Sequence, residues 1–192
     1  DRGGDHGATH LAAPQAAGRM NVGILVLAAG RAARFGSDKR LALLPCGRRV
    51  LDATCASVRD SGLPFLVCLG AADALLAATL NAQHIPSLGC RRAAEGMGAS
   101  LAEGARNIPG WSGVLVALAD MPWIRPDTYR RVAARVEENR IVVPVCDGQR
   151  GHPVGFGREF YPELATLGGD TGARHLLRIH SGSVIEVPVA DP

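Results

Sequence analysis

Apolar and polar positions along the chain follow two alternating periods, which predicts strands and helices in turn. Short, continuously apolar runs are typical of buried strands, and apolar positions three or four residues apart are typical of one helix face. We expect strands at 22–27, 65–69, 84–86, 113–119, 141–145, 152–156 and 184–189, of which 84–86 is the shortest. We expect helices at 50–58, 73–80, 96–108 and 126–136, and a last helix that Asp170 and Thr171 cap and that runs to 179.

This alternation predicts an α/β fold: a three-layer α/β/α sandwich with a Rossmann-like, mainly parallel sheet. A chain of 192 residues is long enough for one domain with a sizeable core, and we expect that domain to span residues 20–192. Residues 1–19 are rich in Gly, Ala and His, lack periodicity and end before Met20. We expect them to be a flexible leader or an expression remnant.

Composition narrows the class of protein. Hydrophobic residues make up 47% of the chain, but no apolar run is long enough to span a bilayer, so we expect a soluble protein without a membrane partner. The net charge is only +3 and the basic residues are scattered, which argues against a nucleic-acid surface. The five cysteines form no C-x-x-C pair and mostly lie in apolar patterns, which indicates core residues in a reducing compartment. The absence of a secretory signal makes the cytoplasm the expected location.

The first strand leads directly into a loop with the features of a phosphate-binding site. Small residues let a ligand approach the backbone, glycines permit positive φ, and Arg34 and Lys39 supply positive charge. The loop is not a Walker A motif, because no hydroxyl residue follows Lys39, and it lacks the G-x-G-x-x-G pattern of dinucleotide-binding oxidoreductases. It therefore predicts a polyphosphate at the end of the first strand.

A single carboxylate, Asp120, ends the apolar strand at 113–119, and Pro122 turns the chain immediately afterwards. An isolated charge in this position needs a partner. Mg²⁺ would provide one, because it binds one or two carboxylates together with phosphate oxygens and water. The alternative is that Asp120 only caps a turn. Because ligands of parallel α/β sheets bind beyond the carboxyl ends of the strands, we expect Asp120 and the loop to converge.

The loop resembles the signature of a known superfamily, L-A-A-G-x-x-x-R-F-G-x-x-K. This superfamily contains the molybdenum cofactor cytidylyl- and guanylyltransferases and the sugar-1-phosphate nucleotidyltransferases. The resemblance implies that the loop wraps the triphosphate of a nucleoside triphosphate and that Arg34, Lys39 and Asp120 are catalytic, with Asp120, in its D-M-P tripeptide, also the metal ligand. The loop positions it implies for nucleotide binding are Leu27, Ala28, Ala29, Gly30, Arg34, Gly36 and Lys39.

Other segments also match family positions. The resemblance places Gly98 and Ser100, in a Gly-rich helix entrance, beside the base or ribose. It places His152, Pro153 and Asp170 on the side of the second substrate, although His152 could be an ordinary strand residue and Asp170 only a helix cap. Ala29 and the Gly-His-Pro segment at 151–153 resemble the cytidylyltransferase branch. That branch usually continues into a D-x-D-T-P segment, whereas this sequence stops at V-A-D-P, so we expect any second metal ligand of that segment to be either missing or cut off here.

The resemblance implies Mg²⁺-dependent transfer of CMP from CTP to the terminal phosphate of molybdopterin, with release of pyrophosphate. Transfer from GTP, or to a sugar phosphate or methylerythritol phosphate, would use the same machinery. A different possibility is a non-catalytic module that binds the molybdenum cofactor and delivers it to a molybdenum hydroxylase apoenzyme. No convincing Ser-His-Asp or Cys-His arrangement is present, which agrees with a reaction that depends on positioning and electrostatics.

Overall fold

A computed structural model describes residues 20–30, 38–170 and 172–191. Its strands are β1 Val22–Leu27, β2 Phe65–Gly70, β3 Ser87–Cys90, β4 Gly113–Leu118, β5 Ile141–Cys146, β6 Gln149–Arg150, β7 Val154–Gly157 and β8 Val184–Pro188. Its α-helices are α1 Val50–Asp60, α2 Ala74–Ala82, α3 Met97–Arg106, α4 Pro126–Ala133, α5 Tyr161–Leu164 and α6 Arg174–Ile179. Short 3₁₀ turns cover Lys39–Leu41, Ala93–Glu95, Arg158–Phe160 and Ser181–Ser183.

The strands form one mostly parallel, mixed sheet in the order β3-β2-β1-β4-β7-β5-β6, and β8 pairs in parallel with β5. β1 lies between β2 and β4 and is parallel to both. β7 is antiparallel to β4 and to β5, and β6 is antiparallel to β5. The expected α/β class and mainly parallel sheet are confirmed, with β6 and β7 as the antiparallel part.

Helices cover both faces of the sheet. On one face, α1, α2 and α4 bury apolar side chains against β1, β2 and β4, and Leu51, Cys55 and Val58 form the inward face of α1. On the other face, α3, α5 and α6 pack Leu101, Leu164 and Leu176 against the sheet. The strand β1 is buried on both sides, as its continuous apolar run predicts.

Three expected elements begin later than predicted, and one of them is the strand expected at 152–156, which begins at Val154. The strand expected at 84–86 lies at Ser87–Cys90, because His84 adopts a φ of 57° and ends α2 in a left-handed turn. The last helix begins at Arg174, and its N-cap position is Ala173, so Asp170 is not its cap. Gly169 (φ 61°) and Gly172 (φ 53°), both left-handed, precede the helix, and the other expected cap, Thr171, lies outside the described residues.

Three cysteines are core residues as expected: Cys55, Cys68 and Cys90 are buried. Cys146 is half-buried and Cys46 is exposed, so the core interpretation was wrong for Cys46. Across the described residues, no helix combines the length and apolar character that crossing a bilayer requires.

Candidate active site

The start of the predicted phosphate loop is buried against the sheet. Ala28 and Ala29 are 2% and 4% exposed, and the Ala28 N–H donates to Cys68 O at 2.8 Å, so the chain stays close to β2 after β1 ends. Gly30 is exposed, and among the described residues no atom would lie within 4 Å of a Cβ at this position. Arg34 and Gly36 lie outside the described residues, and their contacts with nucleotide stay predictions.

Asp120 lies beside this loop start. In the pairing of β1 with β4, Leu27 is opposite Leu118, and the Ala119 N–H donates to Leu27 O at 3.1 Å. The Thr54 hydroxyl of α1 donates to Ala119 O at 2.9 Å and fixes the backbone just before Asp120. The Asp120 side chain is exposed at the carboxyl ends of two adjacent parallel strands.

The strand order explains why this edge is open. The chain passes from β1 to β2 on one side and reaches β4 on the other side only after β3, so β1 and β4 flank a topological switch point. Loops leave such a point in opposite directions and leave a crevice at the carboxyl ends of the strands. The expected convergence of the loop start and Asp120 at one edge is therefore present in the structure.

Lys39 and Arg40 have opposite environments although they are neighbours in one 3₁₀ turn. Lys39 is exposed, and the role of its ammonium toward the triphosphate stays a prediction. Arg40 is 5% exposed and points inward. Nothing in the sequence indicates a function for Arg40, whereas in the structure its guanidinium joins Ala28 and Asp38, which lie on either side of the loop.

The Arg40 guanidinium contacts three segments. Its Nη1 donates to Ala28 O at 2.6 Å and to Asp73 Oδ2 at 2.6 Å. Its Nε and Nη2 donate to the Asp38 carboxylate at 2.8 and 2.6 Å. Asp73 also accepts the Gly70 N–H at 3.0 Å, which ties this cluster to the end of β2. The hydrogen bond to Asp38, opposed by burial and reinforced by Asp73, raises the pKa of Arg40 above its ordinary value.

His152 lies between two clefts at this edge of the sheet. The first cleft has a volume of about 990 Å³, and the second, which contains Asp120, has a volume of about 700 Å³; His152 lines both. Burial lowers the pKa of the His152 imidazole, the nearby Asp120 carboxylate opposes this change, and Arg174 adds to it. His152 is therefore neutral at pH 7 and within electrostatic reach of groups in both clefts. Pro153 is buried directly after it, in a cis peptide bond with His152.

The first cleft has an apolar interior and a basic rim. Leu27, Leu118 and other aliphatic side chains form its interior. Arg150, Arg174 and Arg178 lie on its lining, together with Asp170, which is exposed. Arg150 forms an ion pair with Glu186 at 2.7 Å. Such a cleft suits a ligand with a flat or apolar body and an anionic group.

Gly98 and Ser100 are buried in the first turns of α3. The Gly98 N–H donates to Gly169 O at 2.7 Å, and the Ser100 hydroxyl donates to Gly96 O at 3.3 Å. A Cβ on Gly98 would lie 2.7 Å from Gly168 O, so a glycine is needed where α3 meets the segment that carries Asp170. These contacts give Gly98 a packing role, and the predicted contact of Gly98 and Ser100 with base or ribose stays a prediction.

Two carboxylates in the second cleft, those of Asp120 and Asp191, are candidates for binding a metal ion. Within the ranges that the structure describes, His, Cys, Asp and Glu side chains form no group of three or more that could hold an ion. Asp191, in the second cleft with Asp120, accepts hydrogen bonds from the Arg125 N–H at 2.8 Å and from the Thr128 hydroxyl at 2.6 Å, and so ties the segment after β8 to the start of α4. An exposed Asp120 alone fits a cation such as Mg²⁺, which takes most of its ligands from phosphate and water.

Comparison with known proteins assigns the family. Residues 24–184 match the MobA-like NTP transferase domain. The chain belongs to the MobA-like NTP transferase family. The family resemblance seen in the loop is thereby confirmed.

Two solved structures and one sequence relative are similar to this chain over most of its length. Rv0371c from Mycobacterium tuberculosis H37Rv is 31% identical, with 89% of each chain covered and a TM-score of 0.75. A second structure of Rv0371c, in complex with manganese, is 29% identical over 88% of this chain and 89% of that chain, with a TM-score of 0.70. The purine catabolism protein PucB of Bacillus subtilis is 28% identical over 173 residues, which is 83% of each chain.

Proposed function

We propose that this NTP transferase domain transfers CMP from CTP to the terminal phosphate of molybdopterin and releases pyrophosphate. The observation that carries the proposal is the pairing of Leu27 with Leu118, which brings the start of the phosphate loop and Asp120 to one crevice. Nucleotidyl transfer needs this combination, because the triphosphate must be neutralised and held in line with the attacking oxygen.

The residues of the loop would bind the nucleotide. The exposed Lys39 and the predicted cation Arg34 would neutralise the triphosphate and the departing pyrophosphate. Ala28 and Ala29 are small and buried, so their side chains would not obstruct phosphates that approach the backbone at Gly30. Ala29 and the Gly-His-Pro segment at 151–153 favour CTP over GTP, by their resemblance to the cytidylyltransferase branch.

Asp120 would hold Mg²⁺ at the carboxyl end of β4. A bound Mg²⁺ would supply positive charge to the α-phosphate and the leaving group. The exposed position of Asp120 fits this role, since phosphate oxygens and water must complete the coordination. The manganese complex of the relative Rv0371c supports a divalent cation in this family.

The acceptor would occupy the first cleft. Its apolar interior suits a flat heterocycle such as a pterin, and the guanidinium groups of Arg174 and Arg178 suit the phosphate that attacks CTP. His152, neutral at pH 7 and close to both Arg174 and Asp120, lies where the acceptor phosphate would pass from the cleft toward the nucleotide. Asp170 would contact the polar edge of the acceptor.

The test is pyrophosphate release by the full chain with each nucleoside triphosphate, Mg²⁺ and molybdopterin. We expect release with CTP that depends on the acceptor, and we expect Asp120→Asn to lower it by about 100-fold or more. Asp127→Asn is the matched control, because Asp127 is an exposed carboxylate on α4. Equal inactivity with CTP and GTP would contradict the proposal, and stoichiometric cofactor binding without pyrophosphate would indicate a delivery module instead.

A further inference from the structure

The buried cluster around Arg40 places a guanidinium between two carboxylates at the base of the nucleotide site. The side chains of Arg40 and Asp73 are 6% and 8% exposed, and that of Asp38 is 30% exposed. A buried ion pair contributes little to net stability compared with apolar packing, because desolvation offsets its Coulombic attraction. Its clearest effect is to fix the relative positions of the bonded groups, because each guanidinium N–H forms a good hydrogen bond only within a narrow range of distances and angles.

The segments that Arg40 joins are the two ends of the phosphate loop and the end of a neighbouring strand. Ala28 is the first residue after β1, and Asp38 is the first described residue on the far side of the loop. The contacts to Ala28 O at 2.6 Å and to Asp38 Oδ2 at 2.6 Å therefore close the base of the loop. The contact to Asp73 Oδ2 at 2.6 Å attaches this base to the turn between β2 and α2.

The contacts of Arg40 also determine the position of Lys39. It shares the 3₁₀ turn Lys39–Leu41 with Arg40, and the Asp38 carboxylate also accepts the backbone N–H of Arg40 at 3.0 Å. A shift of the Arg40 guanidinium would therefore move the backbone from which Lys39 extends. Displacements of about 1 Å in a positioning element can change a rate by about 100-fold.

We propose that Arg40 is a positioning residue for triphosphate binding: by holding Ala28, Asp38 and Asp73 together, it presets the separation of Ala28 from Asp38 and the location of Lys39 before the nucleotide arrives. This inference rests on the proposed function, since it concerns the same nucleotide site. It assigns Arg40 no contact with substrate. The planar fork of Arg is required, because a lysine ammonium is a point charge that cannot span three partners in one plane.

The test measures CTP affinity directly, by calorimetric titration in the presence of Mg²⁺ and without acceptor. We expect Arg40→Lys to weaken CTP binding by about 10- to 100-fold while the far-ultraviolet circular dichroism is unchanged. Asp73→Asn, which removes one charge and keeps the shape, should weaken binding in the same direction. Arg131→Lys is the matched control: Arg131 also donates to a carboxylate at 2.6 Å, but both side chains of that pair are more than half exposed.

A rescue experiment separates positioning from general stability. Arg40→Ala removes the guanidinium, and millimolar guanidinium chloride should restore CTP affinity toward the wild-type value, whereas sodium chloride at equal ionic strength should not. Wild-type affinity in both Arg40→Lys and Asp73→Asn would overturn the inference and leave the proposed function intact. Failure of the wild type to bind any nucleoside triphosphate would overturn both. Should Arg40→Ala not fold, the two conservative variants decide the question.

Discussion

Replacing Gly98 by alanine tests the contact between α3 and the segment that carries Asp170. The added Cβ would lie 2.7 Å from Gly168 O and 2.9 Å from Gly169 O, and both neighbours are backbone atoms that cannot rotate away. Restoring ordinary contact at 3.4 Å would move residues 168–170 by about 0.7 Å, the difference between 3.4 and 2.7 Å. The same movement would stretch the 2.7 Å hydrogen bond from the Gly98 N–H to Gly169 O.

Helix propensity favours Gly98→Ala, whereas overpacking and the lost hydrogen bond oppose it, and their balance determines the change in the free energy of unfolding. Alanine in a helix is favoured over glycine by about 1 kcal/mol. Overpacking costs about 1–3 kcal/mol, and loss of the hydrogen bond costs about 0.5–1.5 kcal/mol. The free energy of unfolding of Gly98→Ala should therefore fall by about 0.5–3.5 kcal/mol. Because the displaced segment carries Asp170, the KM for the acceptor should rise more than the KM for CTP.

The assay is denaturant unfolding of the wild type and the variant, followed by kinetics with varied acceptor. Gly182→Ala is the control, because a Cβ there would meet nothing within 4 Å. A Gly98→Ala protein that is more stable than the wild type by the helix-propensity term, with an unchanged KM for the acceptor, would refute the packing argument.

Two further predictions concern titratable groups. Alkylation of the native protein should modify the exposed Cys46 and spare the buried Cys55, Cys68 and Cys90. Burial excludes the reagent from these thiols, and it raises the pKa of the Cys55 thiol to about 12. Mass spectrometry that finds Cys55 modified as fast as Cys46 would contradict this prediction. Because burial lowers the folded-state pKa of His152, its neutral form contributes stability above about pH 6.5 that is lost as the pH falls through the folded-state pKa. When the pH is lowered, the Tm of the wild type should therefore decrease more than the Tm of His152→Gln. Equal decreases in the two proteins would contradict a lowered pKa of His152.

The strands and helices that build the site could be predicted from the sequence because their patterns are local. The continuous apolar run of β1 and the periodic apolar face of α1 identify both elements. Asp120 could be placed beside the loop from one general rule, that the carboxyl ends of parallel strands share an edge. The structure agrees, since Leu27 pairs with Leu118.

The remaining features depend on contacts between distant residues. Nothing in the sequence around Arg40 indicates that its partner is Asp73, 33 positions away. An arginine next to a lysine is as typical of a second phosphate ligand as of a buried structural residue. The antiparallel direction of β7 depends on its insertion between β4 and β5. Asp170 resembles a helix cap in sequence, and only the left-handed conformations of Gly169 and Gly172 show why the helix begins later.

The proposed nucleotidyl transfer requires Asp120 and the loop start to act as one site. The most direct measurement is pyrophosphate release from CTP with Mg²⁺ and molybdopterin by the wild type, Asp120→Asn and the Asp127→Asn control. We expect acceptor-dependent release by the wild type and the control, and a loss of about 100-fold or more in Asp120→Asn with an unchanged fold. An Asp120→Asn protein that releases pyrophosphate at the wild-type rate would contradict the proposed role of Asp120.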